Sequence, residues 1–173
     1  MPLVTDISKS NNLLDYVPII TSSVIVDLIV IFITIKYASS IYLKKWYSTY
    51  NLCAVLADVL SVVIGIMIAR YIYPLVFNEW SLWKFILLAL AVQITHDLLF
   101  YALFSAIPRG SSSIMDLFKD YAKELKGFAI FGDSLIMIGT ILLASFLAGL
   151  DIGTNLFILL WAVYLIPYFV YSF

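Results

Sequence analysis

The residues that could do chemistry in this chain are few, and four of them are aspartates inside long apolar stretches: Asp27, Asp58, Asp97 and Asp133. A lone carboxylate at the centre of a membrane helix costs about 2.5–3.5 kcal/mol on insertion scales, so each one needs a partner or a function. Such groups can hydrogen-bond between helices, pair with a cationic side chain, hold a cation, or carry protons in transit. The first use is structural, and the last two would make the protein a conductor.

A second set of polar residues surrounds the third aspartate. Gln93, Asp97 and Tyr101 follow one another at i, i+4 and i+8, which predicts a polar stripe facing the interior of a helical bundle. His96 lies about 100° around the helix from its neighbour Asp97, so the two cannot face one ligand from this helix alone. The single histidine and the single cysteine, Cys53, are each isolated, and no metal site is predicted.

The sequence also lacks the motifs of known catalytic and cofactor sites. There is no serine-hydrolase elbow, no P-loop and no zincin pattern, so no catalytic residue and no cofactor is predicted. The formal net charge of -1 gives no polybasic attraction for nucleic acid, so no nucleic-acid partner is predicted.

Composition indicates where these residues lie. Of the 173 residues, 64% are apolar and 12% are charged, whereas a soluble domain is about 45–50% apolar and roughly 25% charged. The mean hydropathy of +1.05 excludes an ordinary soluble protein. Five prolines, seven glycines and one cysteine argue against a disordered, collagen-like or disulfide-stapled chain. The sequence therefore predicts an integral membrane protein whose first partner is the lipid bilayer.

Five stretches are long enough to span a membrane, because a helix needs about 20 apolar residues to cross a hydrocarbon core of roughly 30 Å. They cover residues 17–35, 52–72, 82–107, 128–150 and 152–173. The prediction is an all-α, polytopic transmembrane helical bundle, with a polar segment at 1–16 and a single membrane domain at 17–173. Four spans is the alternative, because Pro18 and Asp27 weaken the first stretch.

The loop after the third span predicts one more helix, which is amphipathic and covers residues 113–126. Ser113 and Asp116 have the spacing of a capping box, and Gly127 marks the end. The predicted apolar face consists of Ile114, Leu117, Phe118, Tyr121 and Leu125. Two interpretations are equally good: the helix lies in the headgroup region with Phe118 and Tyr121 toward the acyl chains, or it packs against the bundle. A docking site for a partner is a third.

The positions of Lys and Arg predict the orientation in the membrane. With five spans, seven of the ten basic residues lie on one side: Lys36, Lys44, Lys45, Arg109, Lys119, Lys123 and Lys126. Lys9, Arg70 and Lys84 lie on the other. The first side is expected to be cytoplasmic, with the C-terminus there and the N-terminus outside or in a lumen. All four aspartates then fall in one layer, roughly 9–14 Å from the cytoplasmic helix ends.

The turn between the fourth and fifth spans, residues 149–155, is short and carries one charged side chain. It predicts that these two helices form an antiparallel hairpin.

Several short runs of the second half of the chain form a recognisable pattern: VQITHDLLFY at 92–101, IPRG at 107–110, DLFK at 116–119, YA at 121–122, GDS at 132–134 and YLIPY at 164–168. Together they resemble an uncharacterised family of multi-pass membrane proteins encoded by large nucleocytoplasmic DNA viruses. The resemblance covers roughly the second half of the chain and implies no activity. It implies a setting, the membrane beneath an icosahedral capsid or the host endoplasmic-reticulum-derived membrane that supplies it. Capsid components, other membrane proteins or further copies of the chain would be its partners.

These observations favour a structural or scaffolding membrane protein that anchors partners or shapes the bilayer and is not an enzyme. The alternative is a proton or cation channel or transporter that uses the intramembrane aspartates. A membrane enzyme acting on lipid is a third hypothesis, and it would need a polar cavity open to the headgroup region.

Overall fold

The computed structural model describes residues 4–37 and 39–172, and within them the fold is all-α. Its helices are α1 (Tyr16–Tyr37), α2 (Ile41–Tyr50), α3 (Leu52–Val76), α4 (Leu82–Ala106), α5 (Ser113–Leu125), α6 (Phe128–Leu147) and α7 (Ile152–Val170). Five of them, α1, α3, α4, α6 and α7, are long and apolar enough to cross a membrane. The described residues thus confirm the prediction of an all-α bundle with five helices able to span a membrane, as expected of an integral membrane protein.

The helix ends differ from the predicted ones by a few residues. Helix α3 continues beyond the predicted end at 72 to Val76, whereas α6 stops at Leu147 and α7 at Val170. The α6–α7 turn is stabilised by Asp151, whose Oδ1 accepts a hydrogen bond from the Thr154 N–H at 2.9 Å. This carboxylate caps the first turn of α7 and fixes where the helix begins.

The first span, for which the sequence pattern was weakest, is the central helix of the bundle. Helix α1 packs against α3, α6 and α7. Because α1 begins at Tyr16, Pro18 falls in its first turn. Backbone N–H groups in the first turn have no hydrogen-bond partner within the helix, so a proline is tolerated there. Ile19, Ser22 and Ile31 are fully buried along its length.

Helices α6 and α7 do not form the predicted hairpin. Beyond their turn, α7 packs along α1, and α1 also packs along α6, so the central helix separates the two in the described part of the chain. At Gly139 of α6 the contact with α1 is an ordinary van der Waals one, because an added Cβ would lie 3.9 Å from Cγ2 of Val26. In lipid, side-chain packing decides which helices associate, whatever their order in the sequence.

The polar segment before α1 is folded against the bundle around a buried arginine. Arg70 of α3 is fully buried, and its Nη2 lies 3.0 Å from Oδ2 of Asp15. The same nitrogen donates to the carbonyl oxygens of Lys9, at 2.5 Å, and Asn12, at 2.9 Å. The guanidinium carbon also lies 4.8 Å from the centre of the Tyr16 ring. Arg70, predicted only as an interfacial positive charge, thus ties the segment to α3.

Breaking this ion pair should destabilise the protein strongly. We expect Asp15→Asn to lower the free energy of unfolding by about 3–5 kcal/mol, because the buried guanidinium would lose its ion-pair partner. Denaturation of the full chain in micelles by sodium dodecyl sulfate, followed by circular dichroism, measures the change. Glu79→Gln, an exposed carboxylate at the same end of the bundle, is the matched control. Equal stability of the two variants would contradict the role given to the pair.

Candidate functional site: the intramembrane carboxylates

The two short helices, α2 and α5, pack against each other at one end of the bundle, and we call them the platform. The four intramembrane aspartates all lie toward this end, roughly 8–15 Å along their helices from the platform-side ends. Each sits on a different membrane helix: Asp27 on α1, Asp58 on α3, Asp97 on α4 and Asp133 on α6.

Asp27 is buried and connects α1 to the platform. Its Oδ1 accepts a hydrogen bond from the Tyr47 hydroxyl of α2 at 3.2 Å. Its Oδ2 is also buried and has no hydrogen-bond partner in the described chain. One oxygen of this carboxyl group is therefore satisfied by the platform and the other is not.

Asp58 connects α3 to the same short helix. Nε1 of Trp46 lies 3.0 Å from its Oδ2 and 3.2 Å from its Oδ1. The Tyr47 hydroxyl is also within hydrogen-bonding reach of Asp58. Burial, followed by the charges of Asp58 and Asp27, raises the pKa of Tyr47 well above its usual value, so the phenol keeps the proton that it donates. Two adjacent aromatic residues of α2 thus meet two carboxyl groups inside the bundle.

Asp97 belongs to a separate network between α4 and α6. Nε2 of Gln93 donates to Oδ2 of Asp97, and Oε1 of Gln93 lies 3.0 Å from the Ser134 hydroxyl. Nδ1 of His96 lies 3.2 Å from Oδ1 of Asp97, although 58% of the histidine side chain is exposed. The His96 ring stacks on Phe100 at 6.1 Å between centroids. This network ties two membrane helices together and does not include α2.

Asp133 lies between the two networks. It interacts electrostatically with both Asp97 and Asp58, and among the described residues it makes no hydrogen bond. Tyr121 of α5 lies nearby: burial, followed by the charge of Asp133, raises the pKa of this phenol above its usual value. The structure therefore brings the four aspartates into one continuous electrostatic neighbourhood under the platform.

Tyr101 does not join this neighbourhood. It is 56% exposed, and its ring packs edge-on against Phe104 at 5.3 Å between centroids. On a helix of 3.6 residues per turn, a residue at i+8 lies about 80° away from the starting face, so the predicted stripe turns toward lipid before it reaches Tyr101. Gln93 is buried and Asp97 is half-buried, as a stripe facing the bundle requires.

The apolar face of α5 packs against the bundle and not into the headgroup region. Leu117 is buried, and the Phe118 ring lies 4.9 Å from Trp46 and 5.0 Å from Phe100 between centroids. Its other predicted members are half-buried: Ile114, Tyr121 and Leu125. Because neighbouring helices cover this face, it is not available for the partner contact that the sequence suggested as a third interpretation.

The two ends of α5 also differ from the predicted ones by one residue. Ser112, and not Ser113, caps the helix: its hydroxyl accepts from the Met115 N–H at 3.4 Å. At the other end, the helix ends at Lys126, which has a positive φ of 52°. The predicted stop, Gly127, is in an ordinary right-handed conformation.

Glu124 holds the two platform helices together. Its carboxylate accepts hydrogen bonds from the Ser40 hydroxyl at 2.5 Å, from the Ile41 N–H at 3.0 Å and from the Tyr42 N–H at 3.4 Å. A side chain of α5 thus caps the N-terminus of α2, where backbone N–H groups are unpaired and the helix dipole favours negative charge. Burial alone would raise the pKa of Glu124, but these hydrogen bonds outweigh it, and the pKa lies below its usual value.

Helix α2 and its functional side chains were missed in the sequence. Leu43, Trp46, Tyr47 and Tyr50 lie at i, i+3, i+4 and i+7. The series begins three residues after Ser40, whose hydroxyl accepts a hydrogen bond from the Leu43 N–H at 3.0 Å. A capping serine followed by this spacing indicates an amphipathic helix. Aromatic residues beside a membrane span also fit an interfacial belt, so this pattern alone does not identify a helix.

Two cavities of the described chain lie away from the aspartates. One of about 380 Å³ lies between α1 and α7, and one of about 220 Å³ lies beside α7 near Leu52 and Pro167. Their linings are almost entirely apolar. The described residues contain no group of three or more His, Cys, Asp or Glu side chains arranged to hold a metal ion.

Comparisons of the chain with protein-family models, with curated proteins and with solved structures find no match.

The cap on α2 should depend on pH. Because the folded-state pKa of Glu124 is depressed, its contribution to stability is complete above the unfolded-state pKa of about 4.3 and is lost as the pH falls through the folded-state value. We expect the amide NMR signals of Ile41 and Tyr42 to shift on acidification below that range. Glu124→Gln should shift them already at neutral pH and remove the titration, whereas Glu79→Gln should leave it intact. An unchanged titration in Glu124→Gln would exclude this carboxylate as the cap.

Proposed function

We propose that the protein is a structural, scaffolding component of its membrane. In this function the five membrane helices form an anchor, and the platform is the surface that partners contact. Its exposed basic residues would meet those partners or the adjacent lipid headgroups: Lys44 and Lys45 on α2, and Lys123 and Lys126 at the end of α5. The roles consistent with this arrangement are anchoring a partner protein and shaping the bilayer.

The observation that carries the proposal is the use made of Asp27 and Asp58. Both carboxyl groups accept hydrogen bonds from α2, through Tyr47 at 3.2 Å and through Trp46 at 3.0 Å. An acceptor inside hydrocarbon that is bound by a donor on a surface helix fixes that helix in position, because separation would leave both groups unsatisfied. A rigidly held surface element is what a scaffold requires.

The proposed setting is the membrane beneath the capsid of a large DNA virus, or the host membrane from which it derives. This setting rests on the sequence resemblance alone. The proposed orientation, with the platform and the C-terminus in the cytoplasm, rests on the distribution of basic residues.

A proton or cation conductor is the second candidate, because Asp133 favours it. This carboxyl group makes no hydrogen bond within the described chain and lies between two other aspartates. Ionisable side chains inside membrane helices often mark ion and proton pathways.

Flux measurements on the full chain in vesicles of phosphatidylcholine distinguish the two candidates. For a scaffold, we expect proton flux across wild-type vesicles to equal that of empty vesicles. The Asp133→Asn variant should fold and should leave this flux unchanged, because its carboxylate has no partner to lose. The contrary result is a wild-type flux above that of empty vesicles, which Asp133→Asn abolishes and Glu79→Gln preserves. This result would overturn the scaffold proposal and establish a conductor.

A further inference from the structure

The lipid-facing surface carries an open apolar groove of about 380 Å³ between α1 and α7. Helix α7 contributes residues at i, i+3, i+4, i+7 and i+11, from Ile158 to Phe169, and α1 contributes residues between Ile25 and Phe32. Ala162 is buried at its floor, so the depth of the groove depends on a small side chain.

The groove has the length of one membrane leaflet. The first and last α7 residues that line it, Ile158 and Phe169, are separated by about 16 Å of helix. This is close to half of a hydrocarbon core of roughly 30 Å. Phe169 meets Phe32 edge-on at 6.3 Å between centroids, toward the platform side. The groove therefore runs from the middle of the membrane to one interface.

A positive charge lies at the interface end of the groove. Nζ of Lys36 is 5.6 Å from the centre of the Phe32 ring, one helical turn beyond the last α1 residue of the lining. Lys36 is exposed and forms no ion pair with any carboxylate in the described chain. Its ammonium group can therefore pair with an anion at the depth of the lipid headgroups.

We propose that this groove binds one acyl chain of an anionic phospholipid in the platform-side leaflet, with the lipid phosphate paired to Lys36. The apolar lining, the length of one leaflet and the cation at its mouth match the three parts of such a lipid. The site is independent of the scaffolding function proposed above.

Native mass spectrometry tests the proposal. The full chain is reconstituted in vesicles of equal phosphatidylcholine and phosphatidylglycerol, extracted in a mild detergent, and analysed for retained lipid. We expect the wild type to retain one phosphatidylglycerol, in preference to phosphatidylcholine by about fivefold, the factor expected for one lysine facing an anionic lipid surface. Lys36→Gln should remove this preference. Lys84→Gln is its matched control, because Lys84 lies 5.5 Å from the Phe77 ring at the opposite end of the bundle.

Filling the groove tests the acyl chain separately. Ala162→Phe should abolish retention of both lipids, whereas Ala57→Phe, at an exposed position of α3 outside the groove, should not. If Ala162→Phe fails to fold by circular dichroism, Ile29→Trp decides, since Ile29 lines the groove and is 51% exposed. Wild-type retention of the two lipids in the vesicle ratio, or retention unchanged in a folded groove-filling variant, would overturn the proposal.

Discussion

A carboxyl group inside the hydrocarbon of a membrane has no water to bind, so its donors must come from the protein itself. In this chain that requirement joins the surface to the interior. Asp27 and Asp58 find donors in Tyr47 and Trp46, which lie on a short helix outside the membrane spans. The position of α2 is thereby set from within the bundle, and α2 in turn receives α5 through Glu124. The two platform helices are thus bound to each other, and α2 is bound to the membrane helices.

At the opposite end of the bundle, the buried polar group is a cation, and its partners also come from the protein. Arg70 is fully buried, and the segment before α1 supplies both the carboxylate of Asp15 and two carbonyl oxygens. That segment therefore closes the bundle opposite the platform. At each end of the bundle, polar side chains of the membrane helices hold a neighbouring segment of the chain: Asp27 and Asp58 hold α2, and Arg70 holds the segment before α1. Removing the partner of such a buried charged group would destabilise the fold.

The sequence predicted the spanning helices well, because a long apolar run in a membrane protein has few alternatives to a helix. The same holds for α5, whose apolar residues recur with helical spacing. Neighbours in space were not predictable in this way: α7 packs on α1, although α6 precedes it directly in the sequence. The level of the aspartates followed from helix geometry, but their partners did not. Trp46 and Tyr47 reach the aspartates only through the fold, and a single sequence does not distinguish such aromatic residues from an interfacial belt.

The central claim is that Asp27 and Asp58 hold α2 in place, and hydrogen exchange of the full chain in lipid nanodiscs measures it most directly. In the double variant Asp27→Ala, Asp58→Ala, we expect the amides of residues 41–50 to exchange at least about tenfold faster, because α2 loses its anchoring hydrogen bonds. Asp97→Ala is the matched control, since the hydrogen bonds of Asp97 in the described chain stay within α4. Unchanged exchange in α2 of the double variant, with the membrane helices still protected, would contradict the claim.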